Sequence, residues 1–236
     1  MKKMKTRGML IGLFALLVSL GLISALALPA MAVGNVIGAG RWTILTYVKP
    51  SDLYPSPFKV KPLPAGGVYF DFLNSQDRAM LLADSPSFNN LTGKTIYAKI
   101  AIEASGDVTF QCWPYDVPNN NVRFYFQKTD TSDCNPFLYF PPVGQCIGKY
   151  WWSDLVIDLK ELADRQGQII EVEVPLEAAY WSDGNASGLD SLDSFKDSVA
   201  DVNGVGLSFG SEEFFLFGCR INNGTARFKL YDFRIK

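Results

Sequence analysis

The sequence predicts an all-β protein, an antiparallel β-sandwich carrying one short helix. Apolar and aromatic residues alternate with polar ones through most of the chain, the pattern of half-buried strands. The alternating runs are short, β-branched and aromatic, and clusters of Asn, Gly, Pro and Asp separate them. One segment only, residues 191–202, clearly follows the helical period, with Phe195, Val199 and Val202 at i, i+4 and i+7.

The first 32 residues are expected to stand outside that fold. Lys2, Lys3, Lys5 and Arg7 precede an apolar run over 8–28, and Ala30-Met31-Ala32 supplies the small residues of a signal-peptidase site. This order predicts a secretory signal peptide, 1–32, cut after Ala32. The run is also long enough to cross a bilayer, so an uncleaved N-terminal membrane anchor is the alternative. Removing 32 of 236 residues leaves 204, a length that suits one β-sandwich domain over 33–236. Four of the 22 basic residues fall in the leader, so 18 basic face 24 acidic residues in the mature chain. That balance argues against nucleic acid, whose phosphates call for clustered Lys and Arg. The mature form has no further run that could span a membrane.

Residues 34–40 read as a loose leader, and the Pro-rich stretch 49–67 as a long surface loop, because proline cannot donate to a ladder. The strand runs are "GVYFDFL" (67–73), "KTIYAKIAIEA" (94–104), "DVTFQCW" (107–113), "NVRFYFQ" (121–127), "SDLVIDL" (153–159), "IIEVEVPL" (169–176), "GVGLSFG" (204–210), "EEFFLFGC" (212–219) and "TARFKLYDFRI" (225–235). In the second, Ile96, Ala98, Ile100 and Ile102 share a face. In the last, Phe228 and Leu230 keep one phase while Phe233 and Ile235 keep the other, which predicts a β-bulge at Tyr231-Asp232. "INNGTA" contains Asn-Gly, the strongest short hairpin signal. A second helical turn is possible over 160–165.

Four cysteines in an exported chain point to disulfides, with three connectivities open. Cys134 and Cys146 flank a Pro-rich loop and are favoured as one pair, which leaves Cys112 with Cys219. Four thiols, or one bridge and two buried thiols, are the alternatives. A zinc site is disfavoured by the lack of C-x-x-C and of any histidine.

The absence of histidine also removes the commonest general base and every triad built on it. Carboxylates are what remain for catalysis. Glu171 and Glu173 should share a strand face, and Glu212 and Glu213 should diverge, but none sits in an acid–base motif, and solvent-facing charge is the preferred account. The loop 181–193 is more specific. Asp183, Asn185 and Ser187 alternate before Gly188 in the manner of a Ca²⁺ loop, with Asp193 near the place of a later carboxylate. Ser194 stands where such loops carry Glu, and a polar turn capped by Asp190 or Ser191 is the simpler account. Asn90, Asn185 and Asn223 each begin an N-glycosylation pattern.

Aromatics provide the third candidate. Trp113, Tyr115, Tyr125, Tyr150, Trp151, Trp152, Tyr180 and Trp181 crowd one stretch, where they could fill a core or stack against the apolar faces of sugars. The doublet Trp151-Trp152 cannot do the same thing twice, because strand neighbours point to opposite faces. Leu155, Ile157 and Leu159 are in register with Trp151 and Ser153, so Trp151 is assigned to the core. Trp152 is assigned to the exposed face, with Asp154 beside it.

"LTGKTIYAKI", "NVRFYFQ", "YWWSD", "VPLEAAYWSDGNASG" and "VNGVGLSFGSEEFFLFGCRINNGTARFKLYDFRI" together resemble an uncharacterised domain of exported bacterial proteins. That domain is similar to carbohydrate-binding jelly-roll modules of the galactose-binding-like type. The resemblance spans roughly residues 91–235. It implies a jelly roll, sugar binding and, in the broader class, a structural calcium. The chain departs from it at Asp154, where an asparagine is expected, and in the Pro-rich insert around Cys134 and Cys146. The leading expectation is a secreted, non-catalytic module that binds carbohydrate or a surface polymer through Trp152, Asp154, Trp113 and Tyr115. A structural or adhesive protein, capable of self-association, is the second expectation, and a carboxylate-dependent glycoside hydrolase the third.

Overall fold

The two longest alternating runs become the two longest strands. In a computed structural model, which describes residues 35–36, 42–47, 58–75, 78–84, 88–112, 120–129, 148–183, 187–211 and 218–236, they are β7 (Thr95–Ser105) and β17 (Thr225–Ile235). The expected leader, 1–32, and the pair Cys134–Cys146 lie outside the described residues.

In chain order, the elements before β7 are β1 (Asn35–Val36), β2 (Thr43–Tyr47), β3 (Lys61–Pro62), β4 (Val68–Asp71), β5 (Arg78–Asp84) and β6 (Phe88–Asn89). After it come β8 (Phe110–Cys112), β9 (Asn121–Thr129), β10 (Gly148–Ser153), β11 (Ile157–Asp158), α1 (Leu159–Asp164) and β12 (Ile170–Pro175). A single 3₁₀ turn (Ala178–Tyr180), β13 (Trp181–Ser182), α2 (Leu192–Ala200), β14 (Asp201–Val202), β15 (Gly204–Gly210) and β16 (Cys219–Ile221) precede β17.

Among the described residues the strands form two larger antiparallel sheets and one pair. The smaller sheet runs β12-β7-β17-β4-β3, with β1 against the end of β17. The larger runs β13-β10-β9-β15-β5-β16-β8, with β11 also against β9 and β2 against β5. β14 pairs with β6. One apolar cluster draws on both larger sheets. Phe70 on β4 meets Phe209 on β15 with ring centres 5.5 Å apart, and Phe233 on β17 meets Phe124 on β9 at 6.1 Å. Ile96, Ala98, Ile100 and Ile102 are all fully buried, as their shared phase requires.

The bulge in β17 is present. Leu230 pairs with Ile100 and Asp232 with Lys99, which leaves Tyr231 as the extra residue. The insertion switches the phase, so Phe228, Leu230, Phe233 and Ile235 all end buried. Gly67, at φ +86°, presses on this point; a Cβ there would lie 2.2 Å from the Leu230 carbonyl oxygen. The turn before β4 therefore has room for glycine alone.

Cys112 and Cys219 are cross-strand partners on β8 and β16 and are joined by a disulfide. The expected helix is α2, with Ser191 at its N-cap and Phe195 and Val199 buried. Val202 is buried as well, but from β14.

Several expectations are corrected. The described residues hold two helices where the fold class named one, and the second, α1, lies where the additional helical turn was expected over 160–165. α1 begins where the Asp158 carboxylate accepts the amide of Glu161 at 2.7 Å, and it buries Leu159, Leu162 and Ala163. The Asn-Gly turn does not close a hairpin. β16 belongs to the larger sheet and β17 to the smaller, so residues 222–224 carry the chain from one sheet to the other. Gly224 is required there because a Cβ would sit 2.4 Å from the Ser105 carbonyl oxygen. The run 153–159 is not one strand. Ser153 interrupts the ladder by accepting the Phe124 amide on its Oγ at 3.1 Å, and residues 154–156 loop out before Ile157 rejoins β9 opposite Val122. Leu155 is consequently exposed instead of buried. Within 49–67, Phe58 enters the core and β3 forms an edge strand against β4; within the supposed leader, β1 pairs with β17.

Candidate functional site

The two sheets present outer faces of different chemistry. On the smaller sheet, Tyr97 and Lys99 of β7 stand opposite Glu173 and Glu171 of β12. Glu171 accepts from Tyr97 Oη at 2.6 Å and pairs with Lys99 at 2.7 Å, and those hydrogen bonds hold its carboxyl below the usual range, Lys99 contributing most. Lys236 pairs with Glu173 at 2.5 Å, and Lys229 pairs with Glu103. Glu171 and Glu173 do share a face, as their spacing predicts, and that face is a solvent-exposed lattice of opposite charges.

The larger sheet is different. Along β9, Val122, Phe124 and Phe126 enter the core, so Asn121, Arg123, Tyr125 and Gln127 take the other face. Their partners on β15 are Gly210, Ser208, Gly206 and Gly204. Gln127 lies so close over Gly204 that a Cβ there would be 2.7 Å from its Cγ. All eight of these residues are buried. Arg123 donates to Asn121 Oδ1 at 3.3 Å and to the Ser153 carbonyl at 3.4 Å. A row of buried amide, guanidinium and phenol groups is not what a merely solvated strand face carries. Its signal in the sequence is the alternation of Arg, Tyr and Gln with Val and Phe in "NVRFYFQ".

β10 extends this face. Trp151, opposite Phe126, belongs to the core, where its ring meets Phe195 edge-on at 5.1 Å. Trp152, opposite Tyr125, lies on the other side and outside the core cluster. The division of the doublet by strand phase therefore holds, but the expected exposure of Trp152 does not. Only 6 % of it is accessible. Its neighbours on the outer face are bulky and help to close over it, Tyr150 by stacking at 6.2 Å and Tyr125 from directly across the ladder.

The accessible part of the region is its edge. β13 pairs with β10 through Trp152↔Ser182 and Ser153↔Trp181. The Asp154 amide donates to the Tyr180 carbonyl at 2.8 Å, which adds one more rung and sets Asp154 beside Tyr180. Tyr180 is 45 % exposed, and Asp154 is exposed too. Partial burial raises the Asp154 carboxyl above its ordinary pKa, with the Arg123 charge pulling the other way.

Trp113, Tyr115 and Asn185 lie outside the described residues. Of the remaining calcium candidates, Ser187 donates to Asp190 Oδ2 at 2.7 Å, Asp183 is half-buried at the end of β13, and Asp193 sits in the first turn of α2. Among the described residues no three Asp, Glu, His or Cys side chains converge as a metal group. Nor is any helix of these residues long and apolar enough to cross a membrane. No family model matches the chain, and no curated protein matches it.

Proposed function

We propose that the protein is a secreted β-sandwich of the jelly-roll type that binds carbohydrate or another surface polymer without catalysis. The observation that carries this reading is the edge of the larger sheet, where exposed Tyr180 stands beside Asp154 at the end of the outer row Tyr150, Trp152, Arg123 and Gln127. Sugar recognition uses the combination that the exposed edge offers: a ring, Tyr180, for the apolar C–H face, and a carboxylate, Asp154, for the hydroxyls. The antiparallel sheets and shared core support the sandwich, and fold alone would not support a function. Trp152 keeps a supporting place behind the edge instead of the contact role that its phase suggested.

A glycan-binding screen, run with calcium and with chelator, tests both the ligand class and the calcium expectation at Asp183, Asn185, Ser187 and Asp193. At least one polysaccharide should bind, and Tyr180→Ala should weaken it about tenfold, the cost of one lost aromatic contact. No signal for any polysaccharide would sink the reading, as would binding that Tyr180→Ala and Asp154→Asn both leave intact. Equal binding in the two ionic arms would remove calcium from it.

Exposed Leu155, Val156 and Leu189, close in the chain to that edge, favour the structural and self-associating role as a second reading. It predicts light-scattering mass that rises with protein concentration; a monomer throughout would reject it.

A further inference from the structure

We propose that a cavity at one end of the smaller sheet is a second binding site, taking a neutral sugar through a vicinal diol held by the Asp71–Arg227 pair. The cavity follows from the path of the chain. β4 pairs with β17 from Leu230 back to Arg227 and then departs. The Phe72 amide still donates to the Ala226 carbonyl at 2.9 Å, but the next carbonyl, of Leu73, accepts from Ile221 near the Asn-Gly turn at 3.1 Å. On its other side β17 stays paired with β7 as far as Thr225↔Ser105. The opening that this divergence leaves is a half-open cleft of about 660 Å³. A small-ligand site has that order of size.

Its lining suits a polyol. Arg227 sits on the rung between Asp71 and Glu103. Its Nε donates to Asp71 Oδ1 at 2.6 Å and a terminal nitrogen donates to Oδ2 at 3.3 Å, while the Tyr69 ring lies against the guanidinium at 4.3 Å. The pair is therefore held flat and fixed, with further N–H donors on the guanidinium and acceptor lone pairs on the carboxylate side by side. Two adjacent hydroxyls, each both donor and acceptor, match that arrangement. Exposed Ser105 and Thr225 add hydroxyls at the rim, and Phe72 and Ile221, both nearly fully buried, close its base. Lys61 also pairs with Asp71 at 3.6 Å and Lys229 with Glu103, so each carboxylate of the lining is already matched by a cation and an uncharged ligand leaves that balance undisturbed. The site uses strands other than those of the Tyr180 edge and does not rest on it.

Titration of the ¹⁵N-labelled full chain with D-galactose, D-glucose and D-mannose tests the proposal, with propylammonium as a cation control. At least one sugar should give saturable shifts of the Ser105, Thr225 and Arg227 amides. Asp71→Asn should weaken that binding about tenfold or more, since a charged hydrogen-bond partner is lost. Thr225→Trp, at the exposed rim, should fill the cavity and abolish binding while leaving the ion pair in place. Tyr180→Ala should change nothing here. The proposal is overturned by no saturable shift with any of the three sugars, by shifts that persist in Thr225→Trp, or by a response to propylammonium alone. Polysaccharide binding that depends on Tyr180 would stand even then, so the two sites fail separately.

Discussion

Replacing Phe70 by alanine should destabilise the protein by about 3–5 kcal/mol, the cost of emptying a large aromatic site in a close-packed core. Phe70 is fully buried at the junction of the two larger sheets. Its ring stacks near Phe228 at 5.7 Å within its own sheet and meets Phe209 edge-on at 5.5 Å across the core, with Phe58 and Phe72 completing the cluster at 6.0 and 4.9 Å. Truncation removes contacts from both sheets at once, and rings on separate strands cannot close the gap without shifting backbone. Phe70→Leu keeps most of the volume and should lose much less. Denaturant midpoints measured on both variants check this; a loss below about 1 kcal/mol for the alanine form would mean that the sheets do not share this core.

Removing the Cys112–Cys219 disulfide should cost a similar amount, about 4–5 kcal/mol from the entropy returned to the unfolded chain. The magnitude follows from the span, since the bond closes 107 residues of sequence. It ties β8 to β16 at the far edge of the larger sheet, where each strand has three residues and few ladder bonds of its own. The double variant Cys112→Ala/Cys219→Ala isolates the effect, because both sulfurs are buried and alanine introduces no polar group. Equilibrium denaturation should show a lower midpoint. An unchanged midpoint would mean that β8 and β16 already hold each other in the unfolded ensemble.

Period two made the long strands legible, because each carries enough alternation for its phase to be read. It also located the bulge in β17, where two apolar phases meet within one strand. The two-residue strands β1, β3, β6, β11, β13 and β14 could not be read this way; two residues have no period, and only their partners make them strands. The Asn-Gly turn shows the same limit from another side. Its residues suit a tight reversal, but whether the two flanking strands pair is decided by strands 100 residues away or more, such as β7 beside β17 and β8 beside β16. At the candidate site, phase gave the correct faces of Trp151 and Trp152 but not the burial of Trp152. Burial depended on Tyr150 and Tyr125, whose shared face follows from the pairing of β9 with β10. Tyr180 sat in the aromatic inventory without distinction, because its partner Asp154 lies 26 positions earlier and meets it through a single backbone bond.

The place of β17 has a consequence for assembly. It lies between β7 and β4, which are adjacent to it and not to each other, and every other strand of both sheets precedes it in the chain. A chain emerging from its N-terminal side therefore holds β4 and β7 as open edges until residues 225–235 arrive. The larger sheet could form much of its ladder in that interval, whereas the smaller one has no middle. Nascent chains stopped short of Thr225 should expose two apolar strand edges that invite pairing with other chains, and the last strand to be made is the one that removes the hazard.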